Sequence, residues 1–201
     1  MLQHLGTRDA QCASPTSGEL YALADQIDTL EVCVPYERRI MTTATSYVKG
    51  VDSFMRAVVT RVSSASVMID GVEVGSIGKG LLVLLGIKNG DTGNDAIRLA
   101  AKVCNLRIFN DQNSKMNLDL SAAGGSILVI SQFTLYADCK SRRPGFTDAA
   151  RPEIAIPLYT LFIDECKKAG FCVETGEFGA MMDVASVNEG PVTIILDTET
   201  T

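Results

Sequence analysis

Two short stretches put polar groups where the surrounding sequence is apolar. In Ser131-Gln132-Phe133-Thr134-Leu135, two hydroxyls and an amide interrupt an apolar run that opens at Ser126. Strand alternation would set Ser131 and Phe133 on one face and Gln132 and Thr134 on the other. Thr134 carries the hydroxyl of a nucleophile, and a buried Gln132 amide would need partners for its donors and its acceptor. A threonine acting only as a strand former is the plain alternative. The second stretch, Asn188-Glu189-Gly190-Pro191-Val192-Thr193, reads as a turn between strands. It gains chemical interest if the Gly190–Pro191 bond is cis, because that isomer redirects the neighbouring carbonyls. A third cluster, Lys140, Arg142 and Arg143, is the one compact group of cations, and a solvated loop is its plain reading.

What such residues can do is bounded by what is scarce. The single histidine is His4, far from all three stretches. Serine- and cysteine-type triads commonly use an imidazole base, and most catalytic zinc sites use imidazole ligands, so neither chemistry is expected in the main domain. The six cysteines (Cys12, Cys33, Cys104, Cys139, Cys166, Cys172) form no closely spaced pairs, so no metal is expected, nor any cofactor. They read as reduced thiols of a cytoplasmic protein. The net charge of −6 argues against a broad nucleic-acid surface, so any RNA contact would be local. An enzyme made from these residues works by binding geometry and oriented backbone groups.

The elements that must position these residues are short strands and two helices. Val58–Val62 and Ser66–Ile69 are β-rich, Asp70-Gly71 is a hairpin turn into Val72–Ile77, and Leu81–Ile87 is a buried strand. Thr92 and Asp95 resemble a capping box, and Ile97, Ala100, Ala101 and Cys104 form the apolar stripe of a helix to about Asn105. Strands are expected at Leu106–Phe109 and Ser126–Tyr136. Pro152 opens a second helix with Leu158, Leu161, Phe162 and Cys166 inward, ending at Gly170. Three strands close the chain, at Phe171–Thr175, Met182–Val187 and Val192–Asp197. The expected fold is an α/β domain with a barrel-like, largely antiparallel or mixed sheet and two packed helices.

The 201 residues and the 46% apolar fraction fit one substantial core. No stretch reaches the roughly 18 apolar residues of a membrane span. Residues 1–54 differ in texture and form an N-terminal extension of unassigned role. They include an amphipathic helix after Ser17 (Leu20, Leu23, Ala24, Ile27) and a short strand from Leu30. Their acidic residues and lack of an apolar stretch do not match a targeting segment, which places the protein in the cytoplasm.

From Met55 to about Asp197 the chain resembles the D-aminoacyl-tRNA deacylase family. The matching stretches are Met55-Arg-Ala-Val-Val-Thr-Arg61-Val, Gly80-Leu-Leu-Val-Leu-Leu-Gly86, Leu106-Arg-Ile-Phe-Asn-Asp, Lys115-Met-Asn117, Ser131-Gln-Phe-Thr-Leu135, Thr175-Gly-Glu-Phe-Gly-Ala180 and Asn188-Glu-Gly-Pro-Val-Thr193. Each is short, and their joint order is specific. The resemblance implies a deacylase domain over residues 55–201. It implies a homodimer with active sites at the subunit interface and hydrolysis of D-aminoacyl-tRNA in translational proofreading. Glycyl-tRNA is a further substrate, since glycine has no side chain to exclude. Gly190-Pro191 matches a Gly-cisPro pair that one subunit inserts into the other's site, holding the substrate amino group and rejecting an L side chain sterically. Arg61 matches an arginine bracing that loop, and Asn188 belongs to the same motif. Ser131, Gln132, Phe133 and Thr134 line the opposite wall, with the N–H groups near Phe133 and Thr134 stabilising the oxyanion. Phe178, Gly179, Ala180 and Met182 match the surroundings of the terminal adenosine, and Lys140, Arg142 and Arg143 become candidates for tRNA phosphates. The chain departs from the family pattern at Thr60, where Gln is frequent, and at Ser186, where Leu is usual and a change beneath the adenosine pocket is expected. Two other readings compete: a noncatalytic nucleic-acid-binding module on the same fold, and a general esterase using Ser131 or Thr134.

Overall fold

The computed structural model describes residues 54–198. The helix expected after Ser17 and the strand from Leu30 lie outside them. The organising element is β1 (Arg56–Ile69), one continuous strand where two were expected. Asp70 (φ 50°) and Gly71 (φ 79°) supply the two left-handed residues of a tight hairpin turn, from which β2 (Val72–Ile77) returns antiparallel to β1. After Gly78-Lys79, β3 (Gly80–Gly86) continues along the same edge of β1, pairing Val62 with Gly80 and Arg56 with Gly86.

Beyond β3 the sheet turns parallel, because two connections are helical crossovers. Helix α1 (Gly93–Cys104) and a two-stranded ribbon, β4 (Phe109–Asn110) with β5 (Met116–Leu118), lead to β6 (Ser126–Ser131) beside β3. Helix α2 (Pro152–Lys168) leads to β7 (Val173–Thr175) beside β6. The last strand, β8 (Asp183–Asp197), lies antiparallel along the free edge of β1. The sheet curls until β2 meets the end of β7: a Cβ on Gly75 would sit 2.9 Å from the Thr175 carbonyl oxygen. The expected mixed, barrel-like sheet with two helices is the observed one.

Alternation explains why β3 and β6 read as unbroken apolar runs. Leu81, Val83 and Leu85 of β3, with Ile127 and Val129 of β6, point to the helices. Leu82, Leu128 and Ile130 point into the barrel against Val62, Ala65 and Val67 of β1. Strands buried on both faces need no polar alternation.

Both helices rotate by one residue from the expected faces. On α1 the buried set is Ala96, Leu99, Ala100 and Val103, with Cys104, while Ile97 is exposed. The same i, i+3, i+4, i+7 spacing starts one residue earlier, burying Ala96, Leu99 and Val103 while Ile97 and Ala101 turn outward. Asp95 accepts from the Thr92 N–H at 2.8 Å, as the capping reading expected. On α2 Tyr159, Phe162, Ile163 and Cys166 face inward, and Leu158 and Leu161 are half-buried. Tyr159 donates to the Val129 carbonyl at 2.8 Å and ties α2 to β6.

Three expectations fail locally. Leu106–Phe109 contributes only Phe109 to a ladder, and the chain after Ser131 leaves the sheet as a 3-10 turn (Phe133–Tyr136). The two closing strands are one, since β8 absorbs the Gly-Pro segment as a bulge. Cys104, Cys139 and Cys166 are free thiols.

Gly80 marks where β3 passes closest to β6. A Cβ there would overlap the Ser126 carbonyl and lie 2.9 Å from the Ser126 nitrogen. Gly80→Ala is expected to cost at least about 2 kcal/mol of stability. Chemical denaturation checks this, and an unchanged midpoint would contradict the close approach.

Candidate active site

The ladder of β6 ends where the Gln132 N–H reaches the Leu85 carbonyl at 2.8 Å. The chain then turns: the Leu135 N–H returns to the Gln132 carbonyl at 3.2 Å, and that of Ala137 to Thr134 at 3.1 Å. Because the strand ends at Ser131 and Phe133–Tyr136 is a 3-10 turn, the expected division into two faces gives way. Gln132 is half-buried, and its Nε2 donates to Thr134 Oγ1 at 2.5 Å. The N–H groups of Phe133 and Thr134 open the turn, where no intrahelical acceptor exists. Neither donates to another backbone carbonyl among the described residues.

These groups border a cavity of about 390 Å³. Its floor comes from Leu85 and Ile87 at the end of β3 and from Ala155 on α2; its far wall is the loop Phe178–Met182. Phe178 packs edge-on against Tyr159, with ring centroids 5.8 Å apart, and Tyr159 is fixed by its bond to β6. Gly179 takes a positive φ of 81°, which turns the loop over the cavity. Ser131, Gln132, Phe133 and Thr134 are thereby brought together with Phe178, Gly179, Ala180 and Met182. Sequence reasoning missed Met181, 90% exposed at the rim, and the apolar floor. The floor residues carry no signal beyond ordinary core spacing.

The lining holds no ionisable side chain: its polar members are hydroxyls and an amide. Thr134 therefore has no lining group able to take its proton, and a threonine without a base is a poor nucleophile. What the cavity offers a reacting carbonyl is apolar enclosure and two unspent backbone donors.

Arg61, Asn188, Gly190 and Pro191 form a separate group. Thr60 pairs with Thr193 and Val62 with Asn188, so Arg61 alone faces Glu189 to Val192, and the surplus backbone stands off β1 as a tongue. The Gly190–Pro191 bond is cis. Arg61 is 4% exposed, yet its guanidinium serves two distant segments, donating to the Glu189 carbonyl at 3.2 Å and the Ile108 carbonyl at 2.5 Å. The Glu189 carboxylate adds an ion-pair contact at 3.8 Å. Gly190 has φ 118°, and a Cβ there would lie 2.7 Å from Arg61 Nη2. Asn188 accepts from Ser186 Oγ at 2.9 Å. Gly190 and Pro191 are exposed, and none of this group lines the cavity of its own chain. Ser186 is exposed and borders a separate depression formed by β1, β2 and β8; it is not among the residues lining the cavity.

Lys140, Arg142 and Arg143 project from the loop after the 3-10 turn, which reciprocal backbone bonds between Asp138 and Gly145 close at 2.8 and 2.9 Å. Lys140 Nζ lies 3.4 Å from Asp138. The backbone N–H of Lys140 holds that carboxyl below the usual carboxylate range, and the Lys140 charge adds to the effect. Among the described residues no cluster could hold a metal ion.

Comparison with known proteins agrees on one family. A family profile described as D-Tyr-tRNA(Tyr) deacylase matches residues 58–197. A D-aminoacyl-tRNA deacylase of Desulfatibacillum aliphaticivorans is 56% identical over 146 residues, covering 72% of this chain and all of the relative (100%). One of Clostridioides difficile (strain 630) is 56% identical over 144 residues, covering 71% and 97%. A solved structure titled c-Myc DNA Unwinding Element Binding Protein is 38% identical with a TM-score of 0.67, covering 70% of this chain and 97% of that one. A probable eukaryotic D-amino acid tRNA deacylase, 17% identical with a TM-score of 0.62, shares the fold and covers 72% and 99%.

The bracing role of Arg61 has a direct stability test. A lysine ammonium is a point charge and cannot hold two carbonyls in a planar fork. Arg61→Lys is expected to lose about 2 kcal/mol in chemical denaturation. A wild-type midpoint would mean that the fork bears no strain of the tongue.

Proposed function

The chain belongs to the D-aminoacyl-tRNA deacylase family, and from that premise we propose how its cavity and tongue divide the work. The enzyme hydrolyses the ester of D-aminoacyl-tRNA, releasing free D-amino acid and tRNA, and so proofreads chirality in translation. The single observation carrying the mechanism is a cavity free of ionisable side chains beside two unspent N–H donors.

In this reading Phe178, Gly179, Ala180 and Met182 enclose the terminal adenosine. The ester carbonyl lies against the Phe133 and Thr134 N–H groups. Water, oriented by the vicinal ribose hydroxyl of the substrate, attacks the carbonyl carbon. The resulting oxyanion takes both N–H bonds, and collapse expels the ribose oxygen, which leaves with the proton released by the attacking water and relayed through the vicinal hydroxyl. Removing one such donor typically costs about 100–1000-fold, so preorganised backbone is an adequate catalytic source. Ser131 and Gln132 position the turn, and the Thr134 hydroxyl orients through Gln132.

The tongue meets the substrate in trans. β8 is an edge strand bearing exposed Val184, Val187 and Ile195, a surface suited to a second copy of the chain. In the homodimer Gly190 and Pro191 enter the partner's cavity. Their carbonyls take the substrate amino group, and rigid backbone occupies the space an L side chain would need, with Asn188 and Arg61 fixing the approach. Glycyl-tRNA passes the same filter. Lys140, Arg142 and Arg143 take tRNA phosphates. The catalytic unit spans residues 55–201, after the 1–54 extension, in the cytoplasm. No helix among the described residues is long and apolar enough to cross a membrane.

A second reading, a noncatalytic nucleic-acid-binding module, draws on the name of one structural relative. Matched D- and L-tyrosyl-tRNA separate the two: rapid loss of the D ester alone supports the enzyme, whereas no cleavage by folded protein favours the module. Thr134→Ala is expected to retain deacylation to within about tenfold, since the N–H donors remain. A loss beyond about 1000-fold would instead make the hydroxyl a nucleophile. Sedimentation at micromolar concentration is expected to give a dimer, and a monomer that is fully active would contradict insertion in trans.

A further inference from the structure

Two exposed phenyl rings continue the cavity beyond its rim. Phe133, on the 3-10 turn, is 56% exposed, and Phe146, just after the loop closed at Gly145, is 39% exposed. They meet edge to face, with centroids 5.1 Å apart and planes at 73°. The mechanism above uses only the backbone of Phe133 and leaves Phe146 without a role. The same loop presents Arg142 and Arg143, both exposed and without a carboxylate partner among the described residues, and Lys140 beside Asp138. Ser141 Oγ donates to the Arg143 carbonyl at 2.6 Å and shapes the turn between the cations. In a chain of net charge −6, this places cations and aromatic faces together on one short segment.

We propose that the Phe133–Phe146 pair is a stacking platform for a base of the single-stranded 3′ end that precedes the terminal adenosine, with Arg142 and Arg143 taking the adjoining phosphates. The proposal rests on the deacylase reading and extends its substrate site by at least one nucleotide. Aromatic faces beside cations are the usual means of holding single-stranded nucleic acid, because every base has a π-face and every linkage a charge. The amino-acid side chain of the ester is the rival occupant, but it carries no phosphate to match the cations. Phe133 lines the cavity itself, so the platform lies next to the space assigned to the terminal nucleotide.

The test compares two D-tyrosyl esters, one on full-length tRNA and one on adenosine alone, each with wild type, Phe146→Ala and Phe146→Trp. For Phe146→Ala, kcat/KM on the tRNA ester is expected to fall about tenfold more than on the adenosine ester, chiefly through KM, and Phe146→Trp to restore it. D-Alanyl-tRNA is expected to show the same loss. Should Phe146→Ala fail to fold, the double variant Arg142→Ala, Arg143→Ala at exposed positions is read for the same ratio. Equal losses on both esters, or losses for D-tyrosyl but not D-alanyl esters, would overturn the platform, the latter in favour of an amino-acid subsite. A folded wild type inactive on both esters would overturn the deacylase reading itself.

Discussion

A buried guanidinium shared between two backbone carbonyls is the constraint on which the rest depends. Arg61 lies inside β1, where an unpaired charge would be costly. Its cost is offset because the planar fork reaches Glu189 on β8 and Ile108 ahead of β4 at once. A short side chain at position 61 would allow β8 to run straight along β1. With arginine there, four residues of β8 are displaced opposite one, and only a glycine fits over the guanidinium at position 190. The bulge is consequently a defined backbone surface rather than a slack loop.

The cavity applies the same economy from the other side. It is walled largely by apolar side chains, and in the proposed mechanism main-chain donors do its polar work, so that chemistry would depend on where β6 stops. Leu85 accepts the last ladder bond, and the next two residues, Phe133 and Thr134, line the cavity with Phe178 and Ala180. Tongue and cavity lie apart on one chain. A second copy, as the family resemblance implies, would bring a rigid acceptor surface from one subunit to the oriented donors of the other. Selectivity would then come from excluded volume, which needs no side chain that titrates.

Much of this was legible in the sequence because it depends on short-range rules. Asp70-Gly71 specified its turn, and the runs at Leu81 and Ser126 specified buried strands. The exit of the chain at Gln132 was not legible. Phe-Thr-Leu-Tyr has strand-forming residues, and only the distant partner at Leu85 shows where the ladder ends. The helix faces slipped by one residue because alanine fits either register, so the choice falls to the bulk of Leu99, Val103 and Tyr159. Asn-Glu-Gly-Pro carries a strong local turn signal, and its absorption into a single β8 follows from Arg61, more than a hundred residues earlier. The relation of the tongue to the cavity is likewise a long-range property, invisible to local pattern.

Mixed dimers test the claim of a site shared between subunits most directly. One subunit would carry Ala180→Trp, filling the cavity, and the other Gly190→Ala, displacing the tongue; each homodimer is first shown to be inactive on D-tyrosyl-tRNA. Co-expressed and purified as the heterodimer, the pair is predicted to regain D-selective deacylation, because one intact tongue then faces one intact cavity. A heterodimer as inactive as its parents would contradict a tongue acting in trans.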